Sequence, residues 1–428
     1  MVAVPFIYFS ALLFYQLKKN KWRLDIACFI LVIYAVSGFF SILIDIFDLR
    51  YEDQRNYIIT PWATMAYCCL LTLCVLPFMK YSNILIKEIR PIRGTKMLKV
   101  LAWIFFLYFF INFVFSFGDI LSVATADDLS QVRGDHYKGD DATSNWWSSF
   151  PLVARFPFMF LGMSSSCTWI FIFLAFYCRA ILKMPYFFFI LFLCSSINGL
   201  IENLLDGGRS AIAYWIISFF ACLLFFRQYM SKKDKKRIFA FSSGLLFLFA
   251  LFLIGMTISR FSERDAGDVG GTQGGIITYF GQSFINFCFF FDSFRCPIPS
   301  LQIVFPFLHK ILLGDAFLPV VDLQNNITLI TGYNVGIFYT FFGHICVTSH
   351  PAVAVFYGAF LSFLSYVTVR KCLKIHVGLS ICYFYLLYSS VLFLGVFTHY
   401  YAGMSRTFPA ALWGIILYIL SRRSSKLK

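Results

Sequence analysis

The chain has 428 residues, of which 60% are hydrophobic and 13% charged, whereas a soluble domain is about half apolar and a quarter charged. That balance excludes an ordinary soluble enzyme and divides the length into membrane spans of roughly 20 residues each. The formal charge of +15 would suit nucleic acid, but no nucleic-acid motif accompanies it, and its distribution along the chain gives it another meaning.

Apolar runs fall near 2–17, 25–46, 60–79, 97–117, 152–178, 185–205, 210–226, 238–258, 351–369, 377–397 and 403–420. In hydrocarbon each backbone amide must be satisfied within its own segment, so these runs are predicted to be helices. The expectation is an all-α polytopic membrane protein with about 11 transmembrane helices. Two further apolar pieces, 276–291 and 335–347, fit either an extra pair of spans, making 13, or a re-entrant hairpin. The first run has no basic residues before it, and Lys18, Lys19, Lys21 and Arg23 follow it. That order predicts a retained first span with its N-terminus outside.

Alternate connections collect the basic residues: 18–23, 80–99, Arg179 with Lys183, 227–237, 370–374 and the tail 421–428. One side holds 25 Lys/Arg against 3 acids (+22), and the other 11 against 18 (−7), together +15. This is the positive-inside pattern, so the basic side is predicted to be cytoplasmic, with the C-terminus there. The charge then reflects topology and anionic headgroups rather than nucleic acid.

Two connections on the acidic side are long, 118–151 and a large late one at 259–350. Long connections are where function usually lives. The halves of the chain show no internal repeat of the kind that builds many transporters. The 13 cysteines lie almost entirely inside apolar runs without C-x-x-C pairs, and read as small hydrophobes. No metal-binding or serine-nucleophile motif is present, so neither metal nor cofactor is expected.

Four constellations on the external side carry candidate chemistry. Asp206-Gly207-Gly208-Arg209-Ser210 forms a turn between two spans, where Gly208 allows close backbone approach. Arg209 opens the next helix, and a guanidinium beside helix-start amides suits a diphosphate; the alternative is an arginine snorkelling to headgroups. Arg260, followed by Glu263, Arg264 and Asp265, leaves the next span at the same expected depth. Two arginines at one level would clamp a diphosphate, though an interfacial charge cluster reads equally from the residues. The stretch from Tyr333 to Val347 offers Asn334, Tyr339, Thr340 and His344 in an apolar context. The last external turn offers Thr398, His399, Tyr400 and Tyr401, then Arg406 just inside the final span. There the tyrosines suit an interfacial aromatic belt and His399 titrates near neutrality if unperturbed. Trp146 and Trp147 suit the same belt or a sugar ring. Glu202 and Asp206 lie in or beside a span, where an ionisable group costs about 2.5–3.5 kcal/mol at a helix centre.

The order of these features resembles the O-antigen polymerases, the oligosaccharide repeat unit polymerases of the Wzy type. The resemblance rests on the basic inside, the turn Gly207-Gly208-Arg209-Ser210, Arg260, the sequence Tyr279-Phe280-Gly281-Gln282-Ser283-Phe284 in the late external stretch, and the segment Asn334…Tyr339-Thr340…Gly343. It implies a fold like that of the all-helical, lipid-dependent (GT-C-like) glycosyltransferases. It also implies transfer of a growing chain from undecaprenyl diphosphate to the sugar of a second lipid-linked unit, outside the bacterial cytoplasmic (inner) membrane. Neither nucleotide sugar nor metal takes part. Lipid-linked oligosaccharides, membrane lipids, a flippase and a chain-length regulator would be the partners.

On that resemblance Arg209, Arg260, His344 and Asp206 are the catalytic candidates. Gly208, Ser210, Glu263, Arg264, Asn334, Tyr339, His399 and Arg406 are the substrate-binding ones. Fixed guanidinium groups stabilise the charge that develops on a departing diphosphate. The base for the acceptor hydroxyl is open among Asp206, Glu263, His344 and His399. An O-antigen ligase shares the donor and leaving group, and a flippase or other transporter of lipid-linked oligosaccharide shares the membrane architecture. A membrane acyltransferase centred on a histidine is a further alternative.

Overall fold

The computed structural model describes residues 1–92, 95–124, 150–205, 210–245, 247, 271–314, 318–373 and 376–423. Helices dominate them, and the only strands among the described residues are two of two residues each, Glu88–Ile89 and His376–Val377. In chain order the helices are α1 (Val4–Lys19), α2 (Ile26–Ile46), α3 (Pro61–Lys80), α4 (Thr95–Ala124), α5 (Leu152–Ser165), α6 (Thr168–Ala180), α7 (Tyr186–Ser195), α8 (Asn198–Leu205) and α9 (Ser210–Phe226). A helix at 232–245 is α10. Then come α11 (Gly271–Asp292), α12 (Pro306–Leu313), α13 (Val320–Thr331), α14 (Thr340–Thr348), α15 (Pro351–Arg370), α16 (Leu379–Phe393) and α17 (Met404–Arg423).

Among the described residues six helices are long and apolar enough to cross a membrane, and a seventh span results if the bent pair α5 and α6 counts as one. The described residues are predominantly helical, and the chain is a multi-pass membrane protein. Several predicted spans take a different local form. The run at 152–178 is broken at Ser166 and Cys167, where α5 and α6 meet at 76°. The run at 185–205 is split into α7 and α8, ten and eight residues long. Hydropathy reports how much a segment gains from leaving water, not whether its backbone continues as one rod. Serines near each break, Ser165, Ser166, Ser195 and Ser196, hydrogen-bond back to carbonyls three or four residues earlier, a local bond that bends helices.

The chain divides into two compact units. The first comprises Met1–Glu88, Ala266–Val377 and Phe384–Thr407. Its helices start at defined caps: Asp25 accepts from the Cys28 amide at 2.8 Å, Thr60 from Ala63 at 3.2 Å, and His350 from Ala352 at 3.1 Å. Caps of this kind contribute about 1 kcal/mol each. Pro61 and Pro351 occupy first-turn positions, where the missing N–H costs nothing. At the basic end Asp25 is fully buried and also accepts from Gln16 at 2.9 Å and Asn20 at 2.7 Å.

The stretch 259–350, expected as a long external connection with re-entrant pieces, is largely helical where it is described. Its first apolar piece is α11, 22 residues long, and its second contains the nine-residue α14, so the two do not make a matched pair of spans. Helix α11 packs along α2 and buries Thr278, Gln282, Ser283 and Asn286. These polar groups lowered its apparent hydropathy; the amides of Gln282 and Asn286 find partners inside the unit, whereas the Thr278 and Ser283 hydroxyls are buried without one. Tyr51 donates to Gln282 Oε1 at 2.8 Å, Asn286 to the Phe338 carbonyl at 2.6 Å, and Ser41 to the Gly281 carbonyl. The crossing depends on Gly281: a Cβ there would meet the Phe40 carbonyl carbon and oxygen at 2.5 Å.

The second unit comprises Ile89–Asp265, Gly378–Tyr383 and Phe408–Lys428. Helix α6 is its axis, buried along almost its whole length. Aromatic rings fill the space around it: Trp169 stacks on Tyr383 at 5.2 Å, Phe176 on Phe226 at 6.3 Å, and Phe171 meets Trp413 edge-on. At the basic end Arg179 donates to Asp234 at 2.9 Å and to the Met184 carbonyl at 2.7 Å, tying the end of α6 to the start of α10.

Candidate functional site

A polar cluster lies inside the first unit, built by α13, α14, α15 and the turn that follows α16. The turn dictates its geometry. After α16 the chain doubles back over the N-terminus of α14, and the amides of Tyr339, Thr340 and Phe341 donate to the carbonyls of Phe397 and Gly395 at 2.8–3.1 Å. Orphan helix-start donors are thereby satisfied by backbone rather than by a capping side chain. The close approach requires Gly395, since a Cβ there would run into the Val391 carbonyl oxygen and lie 2.7 Å from the Phe341 ring. It also holds Thr340 at a φ of 63°, a left-handed backbone that a β-branched side chain rarely adopts. Strain of this sort gathers at functional sites.

His344, on α14, and His399, on the turn, are 2% and 4% exposed. Thr398 Oγ1 lies 2.8 Å from His344 Nδ1, and the His399 backbone N–H points at the same nitrogen at 3.4 Å. An amide N–H can only donate, so Nδ1 of His344 carries the lone pair and Nε2 the proton. His344 Nε2 lies 3.4 Å from Gln324 Nε2, itself a donor that contacts the Tyr339 hydroxyl, so the two nitrogens touch without a hydrogen bond between them. The Tyr339 hydroxyl in turn donates to the Val335 carbonyl at 3.0 Å. His399 differs from its neighbour. Its Nε2 is 2.9 Å from the Tyr357 hydroxyl on α15, and its Nδ1 is buried without a hydrogen-bond partner.

Both histidines lie outside the six membrane-length helices. Burial, reinforced by the neighbouring His399, pulls His344 down to about 3; burial pulls His399 down to about 4. Each imidazole is therefore neutral at physiological pH, one with its lone pair occupied and the other with a buried, unpartnered ring nitrogen. Among the described residues no group of three His, Cys, Asp or Glu side chains converges as a metal site would require.

The sequence candidates separate into three groups. Asp206, Gly208, Arg209, Arg260, Glu263 and Arg264 lie outside the described residues, as do Trp146 and Trp147. His344, Tyr339 and His399 are brought into one cluster. Asn334, Arg406 and Ser210 are engaged elsewhere: Asn334 is exposed and accepts from the Gly336 amide at 3.0 Å. Arg406 donates to the Tyr400 carbonyl at 3.3 Å with its guanidinium 4.4 Å from the Tyr400 ring. Ser210 opens α9, in the second unit. Gln324 and Tyr357 complete the cluster and were not anticipated. Tyr357 stands in an apolar run where an aromatic normally packs, and Gln324 stands in a stretch expected to be a loop.

No protein-family model, curated protein or solved structure matches this chain.

Proposed function

We propose that the chain is a membrane glycosyltransferase that polymerises undecaprenyl-diphosphate-linked oligosaccharide repeat units into O-antigen or capsular-type polysaccharide. One structural observation supports the reading: an apolar helical membrane chain buries a polar cluster in which one ring nitrogen, Nδ1 of His399, has no hydrogen-bond partner. The sequence adds two arginines, Arg209 and Arg260, at one expected depth on the side of negative charge.

In this reaction the anomeric carbon–oxygen bond to the lipid diphosphate breaks, and its electron pair leaves with the diphosphate. The acceptor hydroxyl oxygen bonds to the anomeric carbon, and its proton passes to His399 Nδ1. Nε2–H then donates to the Tyr357 hydroxyl and orients the ring. A general base of this kind contributes about 10²–10⁴-fold. From the sequence alone, Arg209 and Arg260 are the candidates to take up the charge developing on the diphosphate, and by analogy with oxyanion donors the loss of one such contact costs about 2.7–4 kcal/mol. Asp206, Glu263 and Arg264 are further candidates from the same stretches of sequence. His344, its lone pair held by Thr398, positions the turn that carries His399.

The site faces the extracytoplasmic side of the bacterial inner membrane, with the N-terminus outside, the C-terminus in the cytoplasm and about 11 spans between. A flippase supplies the lipid-linked units and a chain-length regulator limits the product. The fold belongs with the GT-C-like lipid-dependent glycosyltransferases. Incubation of the full chain in bilayer nanodiscs with a lipid-linked repeat unit tests this. A ladder of longer lipid-linked saccharides is expected; a unit that remains single contradicts the reading.

A further inference from the structure

The basic ends of α3 and α15 form a second feature that the proposed transfer reaction does not use. The two helices run side by side in the same direction: Ser362 donates to the Leu73 carbonyl at 2.8 Å, and further along the Tyr81 hydroxyl donates to that of Tyr366 at 3.3 Å. Lys80 Nζ sits 5.6 Å from the centre of the Tyr81 ring and 5.5 Å from that of Tyr366. Arg370 lies one turn beyond Tyr366 on α15, at the i+4 position of the same helix face. Helix C-termini favour cations, which accounts for Lys80 and Arg370 singly. It does not account for the tyrosine pair that gathers them, with no carboxylate among the described residues paired to either.

The cluster is rich in donors. Lys80 and Arg370 can only donate, and Tyr366, already accepting from Tyr81, has its own proton to give. Below it, apolar side chains face outward at helical spacing. Leu73 and Leu76 precede Lys80 on α3, and Phe363 and Val367 precede Arg370 on α15; all four are exposed. An anion-binding head above two apolar strips has the form of an amphiphile.

We propose that Lys80, Arg370 and Tyr366 bind the phosphodiester headgroup of one anionic phospholipid of the cytoplasmic leaflet, with its acyl chains along Leu73, Leu76, Phe363 and Val367. The inference is independent of the sugar-transfer reading.

Native mass spectrometry of the delipidated full chain tests it, with phosphatidylglycerol and phosphatidylcholine of identical acyl chains as probes. Phosphatidylglycerol is expected to bind roughly tenfold more tightly, and Lys80→Ala with Arg370→Ala to remove that preference. A paired Lys232→Ala and Lys236→Ala control should keep it. Tyr366→Phe, which leaves both charges and the packing in place, should weaken binding about threefold. The proposal is overturned if the wild-type chain holds both lipids equally or if the double variant keeps the preference. It is equally overturned if inorganic phosphate at the same concentration displaces the lipid, which would mark a site for the free anion. Should the double variant fail to fold, the wild-type comparison and Tyr366→Phe decide alone.

Discussion

The Nε2 atom of His399 lies 2.9 Å from the hydroxyl of Tyr357. This contact joins the turn after α16 to the middle of α15 and fixes the imidazole plane, while Nδ1 on the opposite edge of the ring is buried and unpaired. A buried nitrogen left in that state sacrifices about 1–3 kcal/mol, which a substrate hydroxyl would return.

His399→Ala should lower the rate of chain elongation by about 10²–10⁴-fold. Tyr357→Phe should cost less and act differently. Without the tyrosine oxygen to accept from Nε2–H, the imidazolium is less stabilised, so the acid limb of the pH–rate profile moves to lower pH as the plateau falls. Initial elongation rates measured across pH for both variants check this. An unchanged profile in Tyr357→Phe would mean that the contact is packing alone.

Stability should fall in mild acid. An unfolded histidine titrates near 6.5, whereas burial holds the folded His344 and His399 at about 3 and about 4. Below the unfolded value the unfolded chain binds more protons, so acid favours unfolding. The stability of the neutral buried forms is complete above pH 6.5 and is lost as pH falls from there toward the folded values. Each histidine should account for roughly 2 kcal/mol between pH 8 and pH 5. Thermal unfolding in detergent across that range should show the slope, and His399→Gln should reduce it by about half.

Gly281→Ala should destabilise the first unit by about 1–3 kcal/mol, the usual cost of overpacking. The obstructing atoms belong to the backbone at Phe40 and Ser41, 2.5–2.7 Å from the added carbon, and cannot swing aside as a side chain would. Gly244→Ala serves as the control, because nothing lies within 4 Å of a Cβ there. Thermal unfolding of the two purified variants separates them.

Particular residues show what was legible in the sequence. The helices at 26–46, 61–80, 210–226 and 351–370 follow predicted apolar runs closely, because one continuous run of apolar side chains fixes both burial and length. α11 was only half visible. Gln282 and Asn286 look like loop residues until Tyr51 and the Phe338 carbonyl, more than 50 residues away in sequence, satisfy them. His344, Tyr339 and His399 were legible as polar groups in apolar surroundings. Their convergence was not, since it depends on the turn at Gly395 wrapping the start of α14. Tyr357 carried no signal at all: the chain holds 24 tyrosines, most of which have ample reason simply to pack.

The predicted sidedness has its own check. Ser262→Cys introduces a thiol just after the apolar run at 238–258. An impermeant maleimide should label it in intact cells above the level of the parent chain. Labelling that appears only after the membrane is broken would reverse the orientation on which the outer arginines depend.

The most direct measurement is the length of the surface polysaccharide in a strain from which the gene has been deleted and then restored. The account predicts single repeat units after deletion, long chains on return of the wild-type gene, and single units again with Arg209→Ala or Arg260→Ala at normal protein level. Long chains without the gene would contradict it; full-length chains from either arginine variant would remove that residue from the transfer site.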